Sequence, residues 1–266
     1  MGLLKLNAPF HFSPGRQRTL DLLWLLTQKE VTLRYKRTTL GILWSLLNPL
    51  LLALVYYFAF KVIIRFRVDN YAFFLLSALF AWTWFAASVN MSTGSLVGNA
   101  SLIKKVNFPR HLLVFATVAG QLANFLFTIP IIFGLAYLQG PTPSLVWLLG
   151  IPVLLVAQLL LTGGIGLALS MLNAYFRDLQ YTVNFLVHLL FWLTPIIYPA
   201  ELIPDRYRFL FQINPVALII TAWRDLFLNH VIDWTNVGLA YLISLSVLAL
   251  GILTFRVLGK KLDEFL

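Results

Sequence analysis

Residues 209–228 read FLFQINPVALIITAWRDLFL. The stretch is long enough to cross a bilayer, which takes ~20 mostly apolar residues. Whether it crosses decides how many spans the chain has and on which side it ends. Asn214-Pro215 interrupts it. A proline inside a helix removes a backbone hydrogen bond and clashes with the preceding turn, and the two halves are then too short to cross. The piece from Glu201 to Asp233 is therefore expected to form a pair of re-entrant or interfacial helices.

Working outward, six other runs are apolar enough to span: 40–64, 71–97, 112–138, 145–174, 180–198 and 237–257. Lys61 lies near the end of the first, where a long side chain can snorkel to the interface. Six spans put both termini on one side. That side collects Lys5, Arg16, Arg18, Lys29, Arg34, Lys36, Arg37, Lys104, Lys105, Arg110, Arg177, Arg256, Lys260 and Lys261. The other side holds Lys61, Arg65, Arg67, Arg206, Arg208 and Arg224. Cytoplasmic loops carry the excess of Lys and Arg, so both termini are expected in the cytoplasm. A seventh span would place the basic C-terminal end outside.

Composition agrees. The 266 residues are 60% hydrophobic and 11% charged, with a mean hydropathy of +0.83. Soluble domains are roughly a quarter charged, so this chain has too little polar surface to coat a water-facing globule. The absence of Cys excludes a disulfide scaffold and thiolate metal sites. The first residues, MGLLKLNAPFHFSPG, contain no apolar core and no small-residue cleavage site, so no cleaved leader is expected. The net charge of +10 suits anionic headgroups or an anionic substrate. Nucleic acid is the weaker reading, because the cations flank spans.

The expected organisation is all-α. Residues 1–38 hold an N-terminal helix lying in the membrane interface, residues 39–258 the six-span domain and residues 259–266 a tail. In the first segment Ser13 and Pro14 suit a helix start. Arg18, Asp21, Gln28, Lys29, Thr32 and Lys36 fall on one face, and Leu20, Leu23, Trp24 and Val31 on the other, which predicts an amphipathic helix with its polar face to water.

Enzyme chemistry is nearly absent. There is no Walker loop, HExxH or GxSxG. His11, His111, His188 and His230 are scattered without ligand spacing, and no span holds paired carboxylates. Gly163, Gly164 and Gly166, like Gly94 and Gly98, read as close helix packing through small residues. Asn48-Pro49, inside the first span, reads either as a tolerated kink or as a bend that opens a lumen. Tyr181, Phe185, His188 and Trp192 recur on one helical face. That face is either packing and interfacial belt or a pore wall whose flat rings let a sugar polymer slide. Arg34, Lys36 and Arg37 sit beside the first span, either setting topology or capturing a diphosphate. The connection ASLIKKVNFPRHL (100–112) carries three cations and no anion, which suits a turn that fixes topology or a docking element.

Four segments together carry a resemblance: LRYKRTTLGILWSLLNPLL (33–51), ASLIKKVNFPRHLL (100–113), YFRDLQYTVNFLVHLLFWLTPIIYP (175–199) and INPVALIITAWRDLFL (213–228). In this order and spacing they resemble the permease subunits of polysaccharide ABC exporters, which move O-antigen, teichoic acid and capsule-like polymers, and are closest to the O-antigen permeases. The resemblance runs from about residue 16 to the C-terminus. It implies a homodimer of six-span subunits in the bacterial inner membrane with two copies of a separate ATPase, so that ATP and Mg belong to that partner and this chain holds no cofactor. It implies a coupling helix at 99–108, with Leu102, Lys104, Lys105 and Phe108 as contacts and Pro109 as its end. It further implies a cytoplasmic gate helix at 175–180 with Tyr175, Arg177 and Asp178, and periplasmic gate helices within 200–230 around Asn214 and Pro215. Spans one and five would line the conduit through Trp44, Asn48, Tyr181, Phe185, His188 and Trp192. The cargo would be a polysaccharide on polyprenyl diphosphate. Two alternatives stay open: an ABC permease for another lipid or a drug, and a membrane transferase or polymerase using Glu201, Asp205 or Asp225.

Overall fold

The computed structural model describes residues 16–36, 38–41, 43–139 and 141–265. The regular elements among them are all helical. Helix α1 is Arg16–Tyr35, and α2 (Leu43–Tyr56) continues as a π-helix, Tyr57–Ile63. Helix α3 is Tyr71–Gly98, α4 Ala100–Lys105, α5 His111–Leu126, α6 Ile129–Gln139 and α7 Leu145–Tyr175. Then follow α8 (Leu179–Leu193), α9 (Arg208–Ile213), α10 (Pro215–Asn229), α11 (Trp234–Leu258) and a final turn, α12 (Leu262–Phe265). Five segments are long and apolar enough to cross a membrane: Leu43–Ile63, Tyr71–Gly98, His111–Leu138, Leu145–Tyr175 and Trp234–Leu258. The chain is a multi-pass, all-helical membrane protein.

The expected fifth span at 180–198 falls short, because α8 is an apolar helix of only 15 residues. Its stop is local chemistry. Pro195 disfavours the helical conformation at the residue before it, and Thr194 is extended, at φ −103° and ψ 134°. The third span is also interrupted. Pro130 has no N–H to offer the preceding turn, and the chain breaks between α5 and α6, where Thr128 donates through Oγ1 to the Phe125 carbonyl at 2.6 Å.

The break in 209–228 is where the sequence places it. Asn214 is extended and accepts a hydrogen bond through Oδ1 from the Val216 N–H at 3.0 Å. Pro215 occupies the first position of α10, where a missing N–H costs nothing.

Helix α3 is the hub. Leu75, Leu79 and Phe80 are fully buried, and α5, α7, α8 and α10 pack around it. Burying such side chains is worth about 1.5–3 kcal/mol each. Gln158 on α7 pins three helices together: its Nε2 donates to the Ala81 carbonyl at 2.8 Å, and its Oε1 accepts from Trp223 Nε1 at 2.8 Å. Helices α7 and α11 meet backbone to backbone. A Cβ on Gly251 would fall onto the Gly164 carbonyl, and one on Gly164 would meet the Leu248 Cα. Small residues at such a crossing permit the close approach.

A second, smaller core lies at the end of α3 that leads into α4. It joins Leu96, Ile103, Leu113, Met171, Ala174 and Leu262, with Leu26 of α1 and Phe108 packed against it. Leu262, within the expected tail, is thus buried. Helix α1 follows the amphipathic reading only in part. It docks along α5, with Glu30 and Val31 against Gly120. Lys29, expected to face water, donates through Nζ to Asn99 Oδ1 at 2.7 Å. Asp21, Gln28, Thr32 and Lys36 of the expected polar face are exposed, but so are Leu20 and Trp24 of the expected apolar face. Ser13 and Pro14 lie outside the described residues.

Candidate functional site

Helices α1, α2, α3, α5 and α8 enclose an open cavity of about 780 Å³. Arg34, in the last turn of α1, enters it and donates through Nη1 to Gln121 Oε1 at 2.8 Å and through Nη2 to Met91 Sδ at 2.6 Å. Gln121 Oε1 also accepts from Asn124 Nδ2 at 3.2 Å, and Asn124 Oδ1 accepts from the Tyr35 hydroxyl at 2.9 Å. All these partners are neutral, and among the described residues no carboxylate lines the cavity. A guanidinium in such a setting keeps its attraction for an anion, because no internal counter-charge neutralises it.

Two of the expected conduit positions on α2, Trp44 and Asn48, line this cavity, as do His188 and Trp192 on α8. Tyr181 and Phe185 do not. They stand earlier on α8, 77% and 62% exposed. Helix α8 packs on its own bundle through Val183, Val187 and Phe191, at steps of four. The face of Tyr181, Phe185, His188 and Trp192 is therefore the one α8 turns away from its own core. His188 donates through Nδ1 to the Asn184 carbonyl at 2.8 Å. Phe191 stacks on Tyr56, with ring centroids at 5.5 Å, so that α2 and α8 close the wall together.

Sequence reading missed the polar half of the cavity. Gln121, Asn124 and Thr128 follow one another at i, i+3 and i+7 on the third span, which is one helical face. Uncharged polar groups repeated on one face of a span point inward to protein or cavity, so the signal was present. Of the basic cluster, Arg34 alone is found in the cavity. Lys36 is an exposed turn residue outside it, and Arg37 lies outside the described residues.

At the end of α3, the short helix α4 presents Lys104 and Lys105 to solvent. Ile103 is buried beneath them, and Leu102 and Phe108 anchor the same edge. The helix is shorter than expected. Val106 is extended, at φ −131° and ψ 130°. Pro109 opens the next helix rather than closing this one, its carbonyl accepting from the Leu112 N–H at 3.1 Å. The expected gate helix at 175–180 is a tight connection instead. Tyr175 ends α7 and donates through its hydroxyl to the Leu258 carbonyl at 2.6 Å. Phe176 is extended, and Arg177 and Asp178 are exposed where α8 begins. Asn214 and Pro215 lie in another part of the molecule, at the α9–α10 break.

The cavity is lined by polar and aromatic side chains, and α4 is a basic surface helix anchored from beneath. The chain is 39% identical, over 92% of its length and 95% of theirs, to two proteins of Klebsiella pneumoniae named O-antigen export system permease protein RfbA. It is 35% identical, over 79% of its length and 81% of the other chain, to the protein of that name in Myxococcus xanthus. It is 21% identical to the polysialic acid transport protein KpsM of Escherichia coli, over 90% of its length and 92% of that protein. Residues 21–228 match the family model for ABC-2 type transporters, and the chain belongs to that family.

Proposed function

We propose that this chain is the permease subunit of an ATP-driven exporter that carries a polysaccharide linked to polyprenyl diphosphate, of O-antigen type, across the bacterial inner membrane. It works as a homodimer with two copies of a separate ATPase, which binds ATP and Mg, and both its termini lie in the cytoplasm. The similarity to O-antigen export permeases over nearly the whole chain supports the cargo class. The observation that carries the reading is the cavity itself: a guanidinium without a carboxylate, opposite Trp44 and Trp192. The guanidinium suits a diphosphate. The rings give sugars an apolar face without a tight hydrogen bond.

The exposed pair Lys104 and Lys105, on a helix anchored by Leu102 and Phe108, is the surface on which the ATPase docks. The outward face of α8 meets its counterpart in the second copy, so that Tyr181 and Phe185 join Asn48 and His188 along the conduit. Arg177 and Asp178 gate its cytoplasmic mouth beside Tyr175, and α9 and α10, hinged at Asn214-Pro215, gate the outer one. Lys36 and Arg37 flank the point where the lipid diphosphate arrives.

The test is binding of a polyprenyl diphosphate-linked oligosaccharide to the purified permease–ATPase complex. Arg34→Gln should weaken binding about tenfold, the value of one charge-assisted contact, and leave the amount of assembled complex unchanged. Equal affinity in wild type and variant would remove Arg34 from the site.

A further inference from the structure

A second arginine is placed very differently. Arg224, on α10, is 6% exposed. Its Nη2 donates to the Ile196 carbonyl at 2.6 Å, and its guanidinium lies 3.8 Å from the centre of the Phe74 ring. Its Nε has no hydrogen-bond partner among the described residues. A buried donor left unpaired is costly, more so on a charged group. The ring and the carbonyl offset only part of that cost.

Arg224 forms part of the wall of a second cavity, of about 630 Å³. This cavity lies where α10 meets α9, the Pro195–Ile203 segment and the turn before α3. Phe74 and Asn90 mark the two cavities on α3. They are 16 residues apart in sequence, about 24 Å along a helix. The second cavity is thus at the end of α3 opposite to α4. Its volume is within the roughly 300–1,000 Å³ of small-molecule sites.

The wall chemistry narrows the ligand. Asp69, Glu201 and Asp225 line it together with Gln212, Thr221 and two arginines, Arg208 and Arg224. Ionised carboxylates only accept and a guanidinium only donates. Carboxylates outnumber arginines here, which disfavours an anion. Among the described residues no three acidic or histidine side chains are grouped to hold a metal ion. The group that donates to a carboxylate and accepts from a guanidinium with the same oxygen is a hydroxyl, and a ligand that offers several is an uncharged sugar.

We propose that this cavity is a glycan-binding site at the outer end of each protomer, holding an uncharged, polyhydroxylated segment of the polymer as it leaves. The proposal rests on the export reading above. The probe is the oligosaccharide mixture released by mild acid from the host's own surface polysaccharide, free of lipid. It is titrated into the purified permease–ATPase complex beside sugar-free polyprenyl diphosphate, and binding is followed by saturation-transfer NMR. Wild type should bind both. Glu201→Gln and Gln212→Ala should each weaken the free oligosaccharide at least fivefold and leave polyprenyl diphosphate unchanged. Arg224→Lys, which keeps the charge and loses the planar fork, should do the same if it folds, and the other two variants decide the matter if it does not. If wild type binds polyprenyl diphosphate and no free oligosaccharide, or if Glu201→Gln and Gln212→Ala bind the oligosaccharide as wild type does, this site is overturned and the export reading stands. If neither probe binds, the export reading falls and this site with it.

Discussion

Over one 18-residue stretch of each, the spans Leu43–Ile63 and Tyr71–Gly98 have the same mean hydropathy, 1.8, yet 11% of the first stretch and 78% of the second is buried within the protein. Hydropathy records that both prefer a bilayer to water and says nothing of what each touches there. The second span is surrounded. Its aromatic and aliphatic side chains fill the core, and Ser77, Ser88, Ser92 and Thr93 are buried among them. The first span turns Leu51, Leu54, Val55 and Phe58 outward. One is the framework of the protomer. The other is a wall whose outer side is left to lipid or to a second copy.

That contrast can be tested by matched substitutions. The largest effect is expected in the hub. Phe80→Ala should destabilise the protein by about 3–5 kcal/mol, read as a lower midpoint of unfolding in mixed micelles. Next comes the handle at the end of the hub. Reversing charge at Lys104 and Lys105 together should weaken ATPase association about a hundredfold, or about 2.7 kcal/mol, in a pull-down or interferometry measurement, with membrane insertion intact. On the exposed wall the cost should appear in transport and not in folding. Trp44→Ala with Trp192→Ala should slow polymer export about tenfold, equivalent to about 1.4 kcal/mol, at an unchanged protein level. The smallest effect is the counterpart of the first: Phe58→Ala should change the unfolding midpoint by no more than about 0.5 kcal/mol. A Phe58 variant as unstable as the Phe80 variant would break the comparison.

Much of the architecture could be read from sequence because the deciding signals are local. The stop at Asn214-Pro215 is a cap and a proline in adjacent residues, and no tertiary contact is needed to see it. Pro195 was equally local, but a hydropathy window runs past it to residue 198, and the fifth span was drawn too long. The cavity was half legible. Aromatic spacing on α8 singled out His188 and Trp192, which line the cavity, together with Tyr181 and Phe185, which do not, since periodicity assigns a face and not a height. Arg34 and Lys36 part company for a geometric reason. Neighbouring helical residues point about 100° apart, so Arg34 can enter a cavity that Lys36 cannot. The contact of Arg34 with Gln121, 87 residues away, depends on which helices pair, and hydropathy does not encode that. The same gap explains Lys29, whose polarity suggested water and whose partner is Asn99.

That last contact has a mechanical consequence. Asn99 joins α3 to α4: its carbonyl accepts from the Leu102 and Ile103 N–H groups at 3.0 Å, and its Nδ2 donates to the Ser95 carbonyl at 2.9 Å. Lys29 grips that joint, and five residues later on the same helix Arg34 reaches the cavity, about 7.5 Å further along the axis. Helix α1 is then a tie rod. A displacement of the α3–α4 joint reaches Arg34 and the cavity wall through one stiff strut.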